Sequence, residues 1–243
     1  MESRWKRISY IFLIALISVA VFLPAAVYAN AAEPPALVVI IENAREDIEV
    51  SIAEDNGLKE ARKKTVALET YYAFYRSSLG DGDKVTLIVS GNGERFERTV
   101  DLSQAREYDR IVTLDFETQT LKPGKLLSRS ILLVTLRVAL TLLVEGMIFY
   151  LFGFRRKHSW IAFLIINLVT QGVLNIMLNG AMPFAGYLIF NLVLMELVVL
   201  IVEMICFVSY VGEHGKLRRA AYVFAANLAS LFLGGWLITV LPV

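Results

Sequence analysis

Two hydrophobic patterns divide this chain. Between residues 37 and 120, apolar side chains recur at every second position. Ile48, Val50 and Ile52 alternate with Glu49 and Ser51, and Val85, Leu87 and Val89 alternate with Thr86 and Ser90. Val112, Leu114 and Phe116 alternate with Ile111, Thr113 and Asp115. A period of two marks a half-buried strand. Leu37–Ile41 adds a short continuous apolar run. Ser90-Gly-Asn-Gly93 between two such runs predicts a hairpin, because Asn-Gly accepts the positive φ of a two-residue turn. Asn56-Gly57 and Gly80-Asp-Gly82 mark further turns. Thr65–Arg76, with Tyr71, Tyr72, Phe74 and Tyr75, fits a strand or a short helix. Its β-branched and aromatic content favours the strand; the other arrangement makes Leu58–Ala73 helical. Six or seven short strands in under about 90 residues predict a small β-sandwich of immunoglobulin-like architecture over 37–120.

From Leu126 the pattern changes to long apolar runs, at about 130–154, 159–179, 185–211 and 220–242. Each is long enough to cross a hydrocarbon core of roughly 30 Å at about 1.5 Å per residue. The fold class expected is therefore an α+β membrane protein, with the β-sandwich followed by a four-helix transmembrane bundle over 126–243. The N-terminus reads as a signal peptide over 1–29. Arg4, Lys6 and Arg7 precede the apolar stretch Ile8–Leu23, and small residues allow cleavage after Ala29 or Ala31. An uncleaved anchor helix is the other reading. Residues 30–36, with Pro34 and Pro35, form a linker.

Charge sets the expected orientation. The connection Arg155-Arg-Lys-His158 is basic, as is the one at 213–219; Asn179-Gly-Ala-Met-Pro183 carries no charge. Basic connections stay in the cytoplasm. That places 155–158 and 213–219 inside a cell membrane, and the β domain and the C-terminus outside. The signal peptide places the β domain outside independently. Lys122, Lys125 and Arg129 stand on the outer side just before the first span and mildly oppose the rule.

Composition narrows the class. The chain has 243 residues, of which 56% are hydrophobic, and a net charge of +1. A soluble domain runs nearer 45–50% apolar. Glu33–Lys125 holds 13 Lys/Arg against 18 Asp/Glu, so no basic nucleic-acid footprint exists. The single cysteine, Cys206, lies in an apolar run, so the exported domain has no disulfide. No Asn-x-Ser/Thr sequon occurs either. Both absences fit a bacterial envelope protein.

The candidate chemistry is a set of polar side chains at membrane depth. The first span carries Arg137 and Glu145, and the third Glu196 and Glu203. The second carries Asn167, Gln171 and Asn175 at steps of four. Asn191, Asn227 and Ser230 complete the set. A charged group near bilayer centre costs about 2.5–3.5 kcal/mol. Glu196 and Glu203 lie within about 20° on one helix face. Glu145, Glu203, Asn167 and Asn227 fall at similar depth on the inner side. Glu196 and Gln171 fall near the middle, and Arg137 and Asn175 toward the outside. Three carboxyl groups meet one arginine, so at least one lacks a cationic partner. Such a group takes up a proton or binds a cation. The competing readings are hydrogen-bonding glue between helices, at typically about 0.6 kcal/mol each, and a face that docks on a partner subunit. The identity of any metal is open, and no cofactor is called for.

Other signals carry less. His158 and His214 both fall in the basic connections. No HExxH, Walker or GxGxxG motif occurs, and no Ser–His pair shares a depth, so an enzyme is not expected. Trp160, Trp236 and Tyr222 read as interfacial anchors. Gly146, Gly153, Gly234 and Gly235 permit close helix approach. The leading expectation is an accessory, sensory or interaction subunit of a membrane complex. Its β domain binds an external ligand or protein, and its partners are the lipid bilayer and a membrane protein or a second copy. The alternative is a proton- or cation-handling transporter or channel component that uses the glutamates.

Overall fold

A computed structural model of the chain describes residues 36–42, 44–54, 57–67, 69–75, 79, 82–103, 110–181 and 188–242. The expected signal peptide and nearly all of the linker lie outside them. The described residues form two sheets followed by four long helices. They divide into two compact units. One is built on the strands and the chain up to Ile131, the other on Leu132–Gly180 and the last two helices through Ile238.

The strands are β1 (Leu37–Glu42), β2 (Glu49–Glu54), β3 (Gly57–Glu60), β4 (Arg62–Val66), β5 (Glu69–Phe74), β6 (Lys84–Gly91), β7 (Glu94–Asp101), β8 (Arg110–Asp115) and β9 (Thr120–Pro123). One sheet runs β4-β5-β1-β8-β9 and the other β3-β2-β6-β7. The apolar run at β1 takes a central place, antiparallel to β5 and parallel to β8, with Leu37–Ile41 all buried. A strand covered on both faces has no need to alternate. Within the stretch Thr65–Arg76, Thr65–Val66 and Glu69–Phe74 are strand rather than helix: β4 and β5 form a hairpin that pairs Thr65 with Thr70. Among the described residues nine strands stand where six or seven were expected. The additional ones are short, polar pieces such as β3 (GLKE) and β4 (RKKTV), which pairing rather than periodicity makes into strands. One hydrophobic cluster draws on both sheets, with Val39 and Tyr72 from the first and Ile52 and Leu87 from the second.

The Asn92-Gly93 turn joins β6 to β7 in unbroken register from Lys84–Asp101 to Gly91–Glu94. Both residues have positive φ, at 53° and 76°. That is the two-residue turn whose twist suits a hairpin. Asn92 is held from outside: its backbone N–H donates to Asp47 at 2.6 Å and its side-chain oxygen accepts from Arg45 at 2.9 Å.

The helices are α1 (Leu127–Leu151), α2 (Lys157–Gly180), α3 (Leu188–Tyr210) and α4 (Lys216–Val240). All four are long and apolar enough to cross a membrane. α1 starts at Leu127, three residues before the apolar run. It stops at Leu151, because Gly153 takes φ 84° and closes a C-terminal cap. Gly153 N–H donates to Tyr150 O at 2.9 Å and Phe154 N–H to Phe149 O at 3.4 Å. The Phe149 and Phe154 rings stack at 4.2 Å, the hydrophobic contact that accompanies this cap.

The first and third connections touch. The Glu213 carboxylate accepts the backbone N–H of Arg155 at 2.7 Å and of Arg156 at 3.1 Å. His214 Nε2 lies 3.1 Å from Gly153 O, and its ring meets Phe154 edge-on. The two basic connections therefore share one end of the bundle.

Candidate functional site

Helical spacing decides which side chains meet inside the bundle. On α2, steps of three and four put Asn167, Thr170, Gln171 and Asn175 on one stripe. All four are buried, and α2 turns that stripe inward. α3 buries Asn191, Glu196 and Glu203 in the same way, and α4 buries Asn227 and Ser230. Glu145 on α1 is 0% exposed, and Glu203 is 1%. The opposite faces stay apolar and exposed, for example Leu143, Leu168, Leu197 and Phe232.

Two knots of hydrogen bonds result. The tight one surrounds Glu203. Thr170 Oγ1 lies 2.6 Å from its Oε1, and Asn227 Nδ2 donates to its Oε2 at 2.7 Å. Asn227 spends its other N–H on Val223 O at 3.0 Å. The loose knot joins all four helices. Gln171 Nε2 reaches Glu145 Oε1 at 3.3 Å and Ser230 Oγ at 3.4 Å, and Ser230 Oγ reaches Glu196 Oε1 at 3.4 Å. These are long compared with the usual 2.9–3.0 Å, hence weak. Oε2 of Glu145 and Oε2 of Glu196 meet no hydrogen-bond partner among the described residues.

The structure thus brings Glu145, Gln171, Glu196, Glu203 and Asn227 into connected bonding. Asn167 and Asn175 are buried nearby but turn their amides onto their own helix, to Phe163 O at 2.8 Å and Gln171 O at 2.9 Å. Arg137 is 2% exposed and sits about 12 Å along α1 from Glu145. Among the described residues, no group of three or more His, Cys, Asp or Glu side chains is arranged to hold a metal ion.

Toward the basic connections, the polar set gives way to a packed aromatic group. Phe149 contacts Phe154, Trp160, Phe163, Phe207 and Tyr222, with ring centres 4.2–6.0 Å apart. Tyr222 belongs here at 1% exposure and is not an interfacial anchor. Trp160 is half-buried, its indole N–H on Phe154 O at 3.2 Å, and Trp236 is exposed.

Sequence reasoning misses Thr170 as a participant in this site and, outside it, the partners of Arg129. A threonine in an apolar run, such as Thr170, carries no insertion cost that marks it out. Its place one residue before Gln171 and three after Asn167 was the available signal. Arg129, near the start of α1, reads from sequence only as an outer charge that mildly opposes the positive-inside rule. Its guanidinium binds Glu69 through Nε at 2.5 Å and Nη2 at 2.7 Å, and Tyr71 OH through Nη2 at 3.0 Å. Tyr71 donates to Glu69 Oε2 at 2.6 Å. Burial first, and then the Glu69 carboxylate, push the Tyr71 phenol well above its ordinary value, so it stays a donor. The β unit also has a cleft of about 450 Å³ at one end, lined by Arg45, Asn92, Asp115 and Lys122 among others.

No protein-family model, curated protein or solved structure matches this chain.

Proposed function

We propose that this is a non-enzymatic, multi-pass cell-membrane protein whose four-helix bundle holds a proton-handling carboxyl site. The observation that carries the reading is the pair of buried, weakly held glutamates, Glu145 and Glu196, each with one oxygen that no described group satisfies. A carboxylate in that setting holds a proton or a cation. Even if Arg137 serves one of the three glutamates, two remain. The groups beside Glu145 and Glu196 are the Gln171 amide N–H and the Ser230 hydroxyl, hydrogen-bonding neighbours that suit a carboxyl carrying a proton. The inward polar faces weigh against partner docking as the reason for these residues, because what the bundle shows outward is apolar. Glu203 is the anchored member, and Glu145 and Glu196 are the exchanging ones.

The orientation proposed keeps 155–158 and 213–219 in the cytoplasm and the β domain and C-terminus outside. Support comes from the basic charge of both connections and from their contact at one end. The β unit is read as an immunoglobulin-like sandwich, supported by two sheets with a common core. The cleft beside the Asn92 turn keeps a second reading in play. In it the β domain binds an external ligand or protein and the chain serves as a sensory or accessory subunit. A heteromeric mass under mild extraction would favour that reading.

The test is proton flux into liposomes that carry a trapped pH-sensitive dye under an imposed gradient. The wild type is expected to dissipate the gradient. The E145Q/E196Q double variant is expected to insert equally and pass no protons. Equal flux in the two would sink the proposal.

A further inference from the structure

An open apolar groove of about 730 Å³ runs between α1 and α2 on the outer face of the bundle. Its floor is Gly146 with Phe163 behind it. A Cβ at Gly146 would lie 3.5 Å from the Phe163 ring, so the glycine leaves room for one more layer of atoms. Leu143, Met147 and Tyr150 line one wall, and Trp160 and Leu164 the other. Along α1 it extends from Ala139 to Leu151, about 18 Å, which matches one leaflet of a hydrocarbon core of roughly 30 Å.

The mouth of this groove is basic. The Arg155 guanidinium lies 3.5 Å over the Tyr150 ring and bonds Tyr150 O at 2.5 Å, which holds it beside the lining. Arg155 nonetheless stays exposed. Lys157 is exposed too and precedes Trp160 and Leu164 by three and seven residues, so it stands above their wall. Glu213 takes the backbone N–H groups of Arg155 and Arg156. Recognition at the mouth is left to the side chains. An apolar slot one leaflet long with cations at its interfacial end has the chemistry of an anionic lipid.

We propose that this groove holds an acyl chain of an anionic phospholipid, with the headgroup phosphate held by Arg155 and Lys157. The proposal rests on the membrane reading and not on the carboxyl site. The full chain in mild detergent is mixed with equal amounts of phosphatidylglycerol and phosphatidylcholine, and retained lipid is read by native mass spectrometry. Phosphatidylglycerol is expected to exceed phosphatidylcholine by roughly 5- to 30-fold, at about fivefold for each basic side chain. R155Q/K157Q, which changes exposed residues, is expected to bring the ratio near one. Gly146→Leu, which fills the groove, is expected to lower retention of both lipids. Equal retention by the wild type, or a preference that survives R155Q/K157Q, would overturn the site alone. A chain that stays soluble without detergent would instead overturn the membrane reading beneath it.

Discussion

Arg129 grips Glu69 through two parallel N–H···O bonds, 2.5 and 2.7 Å long, with both side chains 7% exposed or less. The fork geometry matches a guanidinium to a carboxylate in a way that an ammonium cannot reproduce. Loss of one partner leaves a buried charge uncompensated. Arg129→Ala is therefore expected to cost about 3–5 kcal/mol, and Arg129→Lys less. Joint replacement of Glu69 and Arg129 by apolar residues is expected to cost less than Arg129→Ala alone. Thermal unfolding of the three variants checks the order. A double variant as damaged as the single one would deny the pair its role.

Glu203 separates structural from chemical roles. A glutamine there can keep both bonds. Its oxygen accepts from Asn227, and its amide donates to Thr170, whose hydroxyl then turns to Ile166 O, 3.0 Å away. Leucine keeps neither and strands a buried Asn227 N–H, at a cost of about 1–3 kcal/mol. Glu203→Gln is expected to melt close to the wild type and Glu203→Leu several degrees lower. Equal melting of the two would mean that the short contacts at Glu203 do not hold the bundle.

How far the fold could be read ahead follows from which residues report their own environment. The alternation at Ile48–Ile52 and Val85–Val89, the Asn92-Gly93 turn and the four apolar runs are local signals, and each became the element expected. β3 and β4 carry no such signal, because an edge strand is made by its neighbour. The stripe of Asn167, Gln171 and Asn175 announced a buried face on α2. Convergence of Glu145, Gln171, Ser230 and Glu196 depends on how four helices rotate about their axes, which no single segment encodes. Arg129 shows the same limit: its partner Glu69 lies 60 residues away, on a strand whose pairing had first to be known.

Gly91, at the end of β6, is fixed by space rather than by backbone freedom. A Cβ there would sit 2.9 Å from Ile48 Cγ1 and 3.2 Å from Ile48 Cα. The backbone contact cannot give way by a rotamer change, and Ile48 is itself in the core. Gly91→Ala is expected to destabilise the β unit by about 1–3 kcal/mol. The companion variant Ile48→Val removes no atom of that backbone contact and should not rescue it. Protease resistance of the β unit reads both, and an alanine variant as resistant as the wild type would refute the contact.

Glu213 predicts a pH dependence. Burial pushes its carboxyl up. The Arg155 N–H, the Ser159 side chain, the Arg156 N–H and the charge of His214 together outweigh that and hold it below its ordinary value. A carboxyl depressed in the folded state binds its proton more readily once unfolded. Its stabilisation is therefore complete above the unfolded value, about 4.3, and is lost as pH falls through the lower folded value. What is lost is the join between the two basic connections, since a protonated Glu213 accepts less strongly from Arg155 and Arg156. Glu213→Gln should melt below the wild type at pH 7, and the gap should close toward pH 3. A gap of the same size at both pH values would show that the ionised carboxylate is not what joins them.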